Sequence, residues 1–333
     1  MAEGGETRDG VTLTNLDQPL FPGADVTKRD LVDYLDAVHG PLLRALAGRP
    51  LSVIRVHRDQ GPFMQKNLPR YAPTWIRGVT VHAEASDRDV RYALVDDRRT
   101  LLWFGNQRAV EYHVPLAREP AWDRPTHLVL DLDPPESVPA GEGFRLAVGA
   151  ARLVREVLAD AGMVAAVKTS GAKGVHVYAP LDGAAGLWEA AVAGRAVAAR
   201  AERLDPALAT SAFLRADRGG RVFVDATRAG GATVVSAYSP RARPGLPVSL
   251  PVPWDGLDDL VPGEVTIRSA AALLDGRDPW HDLMPPAQVL DPGLVEEGHT
   301  IPVARVQAMH EGKRRARARR SAAAAGSADD VRD

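Results

Sequence analysis

A mixed α/β fold is predicted for this chain by three observations. Between residues 127 and 225 the pattern runs strand, helix, strand-turn-strand, helix, strand. Within it, HLVLDLDPP (127–135) alternates strictly, so Leu128, Leu130 and Leu132 share one face of a strand and Val129, Asp131 and Asp133 the other. Finally, 333 residues at 45% hydrophobic content suffice to bury a large core, as one sizeable domain or two closely packed halves.

Taken in order, MAEGGETRDG (1–10) is polar and Gly-rich and reads as a disordered lead, without the apolar stretch of a signal peptide. TKRDLVDYLDAVHGPLLRALAG (27–48) reads as one amphipathic helix capped by Thr27 or Asp25, with Leu31, Leu35, Val38, Leu42 and Leu46 facing a core. From 50 to 130 the chain is mainly β-like, through RPLSVIRV, RDVRYALV and TLLWFG. Helices are expected over 144–162 and 186–204, on either side of VKTSGAKGVHVYAPL (167–181). After 245 the density of proline rises, as in PGLPVSLPVPWDGL, which reads as an extended surface strap. The folded part is expected to span 11–295, divided into an N-terminal part (11–120) and a catalytic part (121–295), before an extension over 296–333 with a basic, disordered tail.

The formal net charge is −2, so any surface for nucleic acid must be a local patch. No cysteine is present, which removes disulfides, thiolate metal ligands and cysteine nucleophiles. With no run of membrane-spanning length either, a soluble cytoplasmic protein is expected.

Three separated segments carry the chemistry. Asp131 and Asp133 project together, and RVFVDATRAGGATVVSAYSPRARPG (221–245) delivers Asp225 at the end of its own apolar run. Three carboxylates converging from strand ends can hold two divalent cations. An isolated Asp-x-Asp before Pro134–Pro135 is often only a turn former; its company gives it weight. The turn Ser170-Gly171-Ala172-Lys173-Gly174 joins two apolar runs, with glycines that let backbone amides approach an anion, a lysine charge and a hydroxyl. It reads as a triphosphate cradle. His176 stands two residues beyond, on the same strand face as Tyr178, where its imidazole can donate to a phosphate or a sugar hydroxyl. A half-buried structural histidine is the plain alternative.

With WFGNQRAVEYH before them, these segments resemble the polymerase domain of bacterial ligase D, of the archaeo-eukaryotic primase superfamily, over roughly residues 11 to 290. The resemblance rests on DLDP, TSG-x-KG-x-HVY and VFVD…YS-x-RARPG. It implies a primase-type α/β (α+β) core with mixed, largely antiparallel sheets and flanking helices, and a ribonucleotide-preferring, DNA-dependent polymerase acting in non-homologous end joining or gap filling. Asp131, Asp133 and Asp225 would bind Mn2+ or Mg2+; His113, Ser170, Lys173, His176, Arg218 and Arg241 would face the incoming nucleoside triphosphate. Asn15, Lys28, Arg55, Phe63 and Lys66 would contact DNA. Implied partners are DNA ends or gapped DNA, Ku and a separate ATP-dependent DNA ligase, since the chain carries one such domain only.

The N-terminal part departs from the family pattern. Lys28 matches one of two lysines that hold the 5′-phosphate of a broken end, but Gln18 stands where the other is expected. Phe63 is followed by Met64 where a second aromatic usually stacks on the template, Ile54 replaces a frequent lysine, and the usual Gln-Asn after the third aspartate reads Arg228-Ala229. The basic run with Lys313, Arg314, Arg315, Arg317, Arg319 and Arg320 suits either DNA contact or a solvated terminus. Two other readings of these residues exist. A metal-dependent glycosyltransferase explains the Asp-x-Asp but not the cradle with Asp225 and Arg241. A catalytically weakened end-bridging module suits the altered N-terminal contacts but not the complete aspartate set.

Overall fold

The computed structural model describes residues 6–57, 61–83 and 88–303. Residues 6–10 of the expected disordered lead are ordered: β1 (Thr7–Arg8) and β2 (Val11–Thr12) form a hairpin over Asp9-Gly10, both at positive φ as a tight Asp-Gly turn requires. Arg8 ties it down through ion pairs with Asp33 and Asp36. The single helix expected over 27–48 is two, α1 (Lys28–Ala37) and α2 (His39–Leu46). Pro41 cannot donate to residue 37 and would crowd its carbonyl, so the helix breaks at Val38, and Pro41 falls in the first turn of α2, where it is tolerated. Thr27 caps α1 in a capping box with Asp30, and the five apolar residues named for this stretch are all buried.

Strands β3 (Ser52–Arg55) and β4 (Phe63–Gln65) follow, then the separate ribbon of β5 (Gly78–Ala83) and β6 (Arg88–Ala93). TLLWFG, expected as β, lies in α3 (Arg98–Asn106). Asp97 caps Thr100 N, and residues 100–105 are buried all round, so a short, continuously apolar run carried no period to separate strand from helix. Next come β7 (Ala109–Val114), the small pair β8 (Ala117–Arg118) and β9 (Ala121–Pro125), and β10 (His127–Asp133). The C-terminal half supplies α4 (Ala140–Asp160), β11 (Ala166–Thr169), β12 (Val175–Pro180), α5 (Leu187–Leu204), β13 (Ala209–Thr210), β14 (Val222–Asp225), β15 (Val234–Val235) and β16 (Pro251–Val252). Helices α6 (Ile267–Leu274), α7 (Pro279–Leu283) and α8 (Pro292–Thr300) complete the described chain.

Two sheets position the site. The larger has the order β13-β14-β10-β12-β11-β16, antiparallel throughout except for β13 beside β14; the smaller, β15-β7-β3-β4, is antiparallel. Helices α4 and α5 cover the leucine face of β10: a Cβ on Gly194 of α5 would lie 3.4 Å from Leu128 and 3.1 Å from Ala226, so glycine sets the approach of this helix. The opposite face of β10, carrying the aspartates, stays open to a cleft shared with the smaller sheet. The segment after 245 is extended but not superficial: Leu246, Val248, Leu250 and Val252 are buried, and β16 pairs with β11. Its prolines alternate with core residues, which its composition alone concealed. The expected core boundary at 295 falls inside α8, which packs on α5; Gly298 is required there because a Cβ would collide with the Val192 carbonyl. The basic tail lies outside the described residues. Among the described residues no helix is long and apolar enough to cross a membrane.

Candidate active site

Cross-strand register builds the floor of the site. Asp131 of β10 lies opposite Asp225 of β14 on one side and His176 of β12 on the other, and His176 lies opposite Lys168 of β11. Four ionisable residues thus form one row across four neighbouring strands, with Asp133 two residues along β10 on the same face. Carboxylate oxygens of Asp131, Asp133 and Asp225 lie within 4.8 Å of one another; Asp131 and Asp225 are buried and Asp133 is exposed.

The electrostatics separate the three acids. Burial opposes charge on Asp131, but His176 and Arg228 overrule it and hold its carboxyl well below the usual range. Enclosure and repulsion from Asp131 and Asp225 push Asp133 up to about 7. Because its side chain meets solvent, we assign the direction chiefly to the two neighbouring carboxylates. Hard oxygen donors converging with surplus negative charge fit divalent cations such as Mn2+ or Mg2+.

Behind the acids, His176 Nε2 lies 3.1 Å from Asp131 Oδ1, while its Nδ1 lies 2.9 Å from Lys168 Nζ. Burial, and then Lys168, lower His176 to about 4, leaving it neutral near pH 7. The consistent tautomer carries its proton on Nε2, donating to Asp131, and accepts from Lys168 through Nδ1. Lys168 is fully buried and also donates to Ser249 Oγ at 2.6 Å. His176 therefore sits between an acid and a lysine, with neither ring nitrogen turned to open space.

The turn over 170–174, expected to cradle phosphates, is partly folded in on itself. Ser170 Oγ accepts from Ala172 N and Gly174 N at 3.2 and 3.0 Å, and Lys173 Nζ donates to the Pro135 carbonyl at 3.1 Å. Gly171 has φ +70, and a Cβ there would lie 2.8 Å from Ser249 N. Arg241 Nη1 donates to the Ser170 carbonyl, joining this turn to the segment after β15. Its Nε, buried and without a hydrogen bond, lies 3.1 Å from Glu111 Oε2 as an ion pair. Glu111 also binds His113 Nε2 at 2.8 Å and Ala242 N at 2.9 Å. Burial would raise its carboxyl, but His113, Arg241 and Ala242 N–H hold it down at about 2. Arg218 donates to the carbonyls of Ala212 and Phe213 and stacks 3.8 Å from the Phe223 ring centroid.

Around these groups runs a cleft of about 530 Å3. Eight of the nine residues expected at the metal and nucleotide positions line it, namely Asp131, Asp133, His113, Ser170, Lys173, His176, Arg218 and Arg241; Asp225 completes the floor. Arg215, Arg221, Arg228 and Arg243 also line it and were not singled out for it from sequence. The result is an acidic floor under a basic wall, suited to metal ions below and a polyphosphate above. Lys168, Glu111 and Arg228 were likewise missed as site residues. A lysine inside the apolar strand VKTSG and a glutamate inside AVEYHV were the available signals.

The residues expected at DNA lie away from this cleft, in two groups. Asn15 adopts φ 54 in the loop before α1, and Lys28, only 3% exposed, donates to the Thr14 carbonyl. Burial, and then the nearby Arg108, lower Lys28 to about 8. Arg55 holds Gln107, Gln65 and Tyr71 and lies 5.7 Å over the exposed Phe63 ring, on which His57 also stacks. Met64 and Lys66 are exposed beside them at the sheet edge.

The family model described as LigD, primase-polymerase domain, matches residues 27–280. The chain is 39% identical over 269 residues to the multifunctional non-homologous end joining DNA repair protein LigD of Mycobacterium tuberculosis, covering 77% of this chain and 34% of that protein. It is 32% identical over 260 residues to the bifunctional non-homologous end joining protein LigD of Bacillus subtilis, covering 77% of this chain and 41% of that one. The chain therefore spans about a third to two fifths of the length of these relatives. The solved polymerase domain of Mycobacterium tuberculosis ligase D in complex with DNA superposes with a TM-score of 0.73 at 36% identity, over 80% of this chain and 95% of that one. The mixed, largely antiparallel architecture is thus the primase-type core expected from sequence, and the chain belongs to the LigD primase-polymerase domain family.

Proposed function

We propose that this protein is a template-directed nucleotidyltransferase that adds nucleotides, ribonucleotides in preference to deoxynucleotides, at DNA ends or gaps during non-homologous end joining. The observation that carries the reading is the aspartate cluster beneath a basic cleft wall. Two divalent ions, Mn2+ or Mg2+, held by Asp131, Asp133 and Asp225, would activate a primer 3′-hydroxyl and offset charge on the pyrophosphate leaving group. Lys173, Arg218 and Arg241 suit the triphosphate, and the Glu111 pair gives Arg241 a fixed direction. His176, held by Lys168, orients Asp131 by donating to it. His113, on the opposite wall, suits the sugar.

In this reading the N-terminal part grips DNA through Asn15, Lys28, Arg55, Phe63 and Lys66, and also supplies the His113 wall of the cleft. The polymerase acts in the cytoplasm on nucleoid DNA, with a Ku-type bridging factor and an ATP-dependent DNA ligase activity. Primer extension on gapped DNA with Mn2+ and labelled ribonucleotides tests the proposal. Templated addition that disappears in Asp131→Ala supports it. Absence of addition to any primer-template, in protein that still binds DNA ends, leaves an end-bridging module instead.

A further inference from the structure

One side chain in the cleft stands where the proposed function needs a metal. Arg228 belongs to the short helical turn Thr227–Gly230 that directly follows β14. Its Nε donates to Asp131 Oδ2 at 3.1 Å, its Nη2 lies 3.0 Å from the same oxygen, and that Nη2 is 3.5 Å from Asp225 Oδ2. A guanidinium is thus laid across the two buried acids of the cluster, and Asp133 lies beyond it, open to solvent. Its anchorage differs from that of its neighbours. Arg218 gives two hydrogen bonds to backbone carbonyls and Arg241 one of 2.5 Å to Ser170, whereas Arg228 gives only a long one, 3.4 Å to the Thr233 carbonyl. The side chain is 30% exposed, on the open side of the acids, so it can leave without disturbing the core.

We propose that Arg228 is a resident counter-cation that competes with the divalent ion for Asp131 and Asp225, so that loading the site requires the guanidinium to leave the carboxylates. This rests on the metal reading given above. The physical grounds are those of ion exchange. Asp131 and Asp225 are buried acids, and a buried carboxylate needs a cation or donors. Arg228 provides that compensation from within the chain, which keeps the metal-free fold intact but makes each ion displace a charge-assisted contact before it binds. The protein should therefore bind metal more weakly than the same three aspartates would without the arginine, by one factor at every ion concentration, because the competing cation is tethered to the chain.

Titration of Mn2+ by electron paramagnetic resonance, with thermal melts in the presence and absence of Mn2+, separates this from a purely structural ion pair. Arg228→Gln should bind Mn2+ about tenfold or more tightly than wild type, the equivalent of one charge-assisted contact. Arg228→Lys keeps the charge without the fork and should fall between them. Melting of metal-free Arg228→Gln should come earlier than that of wild type, and Mn2+ should raise it by more. Asp131→Asn should remove the tight Mn2+ site in either background, which locates the ion. If Asp131→Asn removes it but neither arginine variant binds Mn2+ more tightly than wild type, the inference is overturned and the metal reading stands. If Asp131→Asn leaves binding unchanged, the ion is elsewhere and both fall. Should Arg228→Gln fold only with Mn2+ present, the rescue itself is the expected behaviour, and Arg228→Lys supplies the affinity comparison.

Discussion

Among single residues, Asp133 and Glu111 show how the same side-chain chemistry is driven in opposite directions by its neighbours. Asp133 shares its space with two carboxylates, so its charge costs stability unless a cation is present. Asp133→Ala should abolish nucleotide addition in a primer-extension assay while leaving the metal-free melting temperature unchanged or slightly raised. Loss of activity accompanied by unfolding would instead give Asp133 a structural role. Glu111 meets a histidine, an arginine and an amide, and its folded-state value of about 2 lies below the ordinary 4.5. Its stabilisation is therefore fully present above the unfolded value and is lost as pH falls through the folded one. A shift of this size corresponds to roughly 3 kcal/mol at neutral pH. Glu111→Gln should be less stable than wild type by that order at pH 7, and denaturant titrations should show the gap closing as pH falls from about 4.5 toward 2. A gap that persists to pH 2 would mean that packing, not charge, makes the difference.

The element that most constrains the site is the turn between β11 and β12. Its hydroxyl and amides bind one another, and its last residue, Gly174, runs so close to β10 that a Cβ would lie 2.6 Å from the Leu132 carbonyl. Neither partner can yield easily, because Leu132 pairs with Val175 and Val224 on its two sides. Gly174→Ala should destabilise the protein by about 1–3 kcal/mol, as overpacking does, and weaken nucleotide binding by displacing Ser170 and Lys173. Equal stability and nucleotide affinity in wild type and variant would show that the turn accommodates the methyl without moving. On the opposite wall, β7 carries both Glu111 and His113, placed two residues apart so that they share a face, and their hydrogen bond couples His113, proposed to face the sugar, to Arg241.

Viewed as a whole, the molecule keeps its proposed chemistry and its proposed DNA-end contacts on separate surfaces. The acids and basic wall lie between the two sheets, whereas Lys28 sits at the start of α1, buried against the Thr14 carbonyl and close enough to Arg108 to have its ammonium weakened. Gln18 is adjacent, since its carbonyl accepts from Lys28 N. A separation of this kind predicts independent effects. Gln18→Lys should increase the preference for gaps with a 5′-phosphate by roughly one to two decades, from one added charge-assisted contact of about 1.5–3 kcal/mol. Extension of an unphosphorylated primer-template should not change, and the gain should shrink with added salt. An equal effect on both substrates would mean that the substitution acts on the catalytic cleft. A wild type already strongly selective for phosphorylated gaps, with no gain from Gln18→Lys, would mean that the phosphate pocket is built from other residues.

Much of this was legible in the linear sequence because it depends on local period. Alternation from Leu128 to Asp133 put both acids on one strand face, helical spacing marked Leu31 to Leu46 as core, and Gly171 and Gly174 marked a turn. Where period was missing the reading failed: TLLWFG is apolar without alternation and became a helix, and the prolines after 245 hid a buried edge strand. What only the tertiary structure decided is everything that requires one strand to know its neighbour. Register places Lys168 beside His176 and His176 beside Asp131, and the return of the chain after β14 lays Arg228 over two acids from different strands. Pairing of Glu111 with Arg241 likewise joins residues 130 positions apart, from the two walls of one cleft. Side-chain type and period are properties of a short window of sequence, whereas burial and charge pairing are set by neighbours distant in the chain.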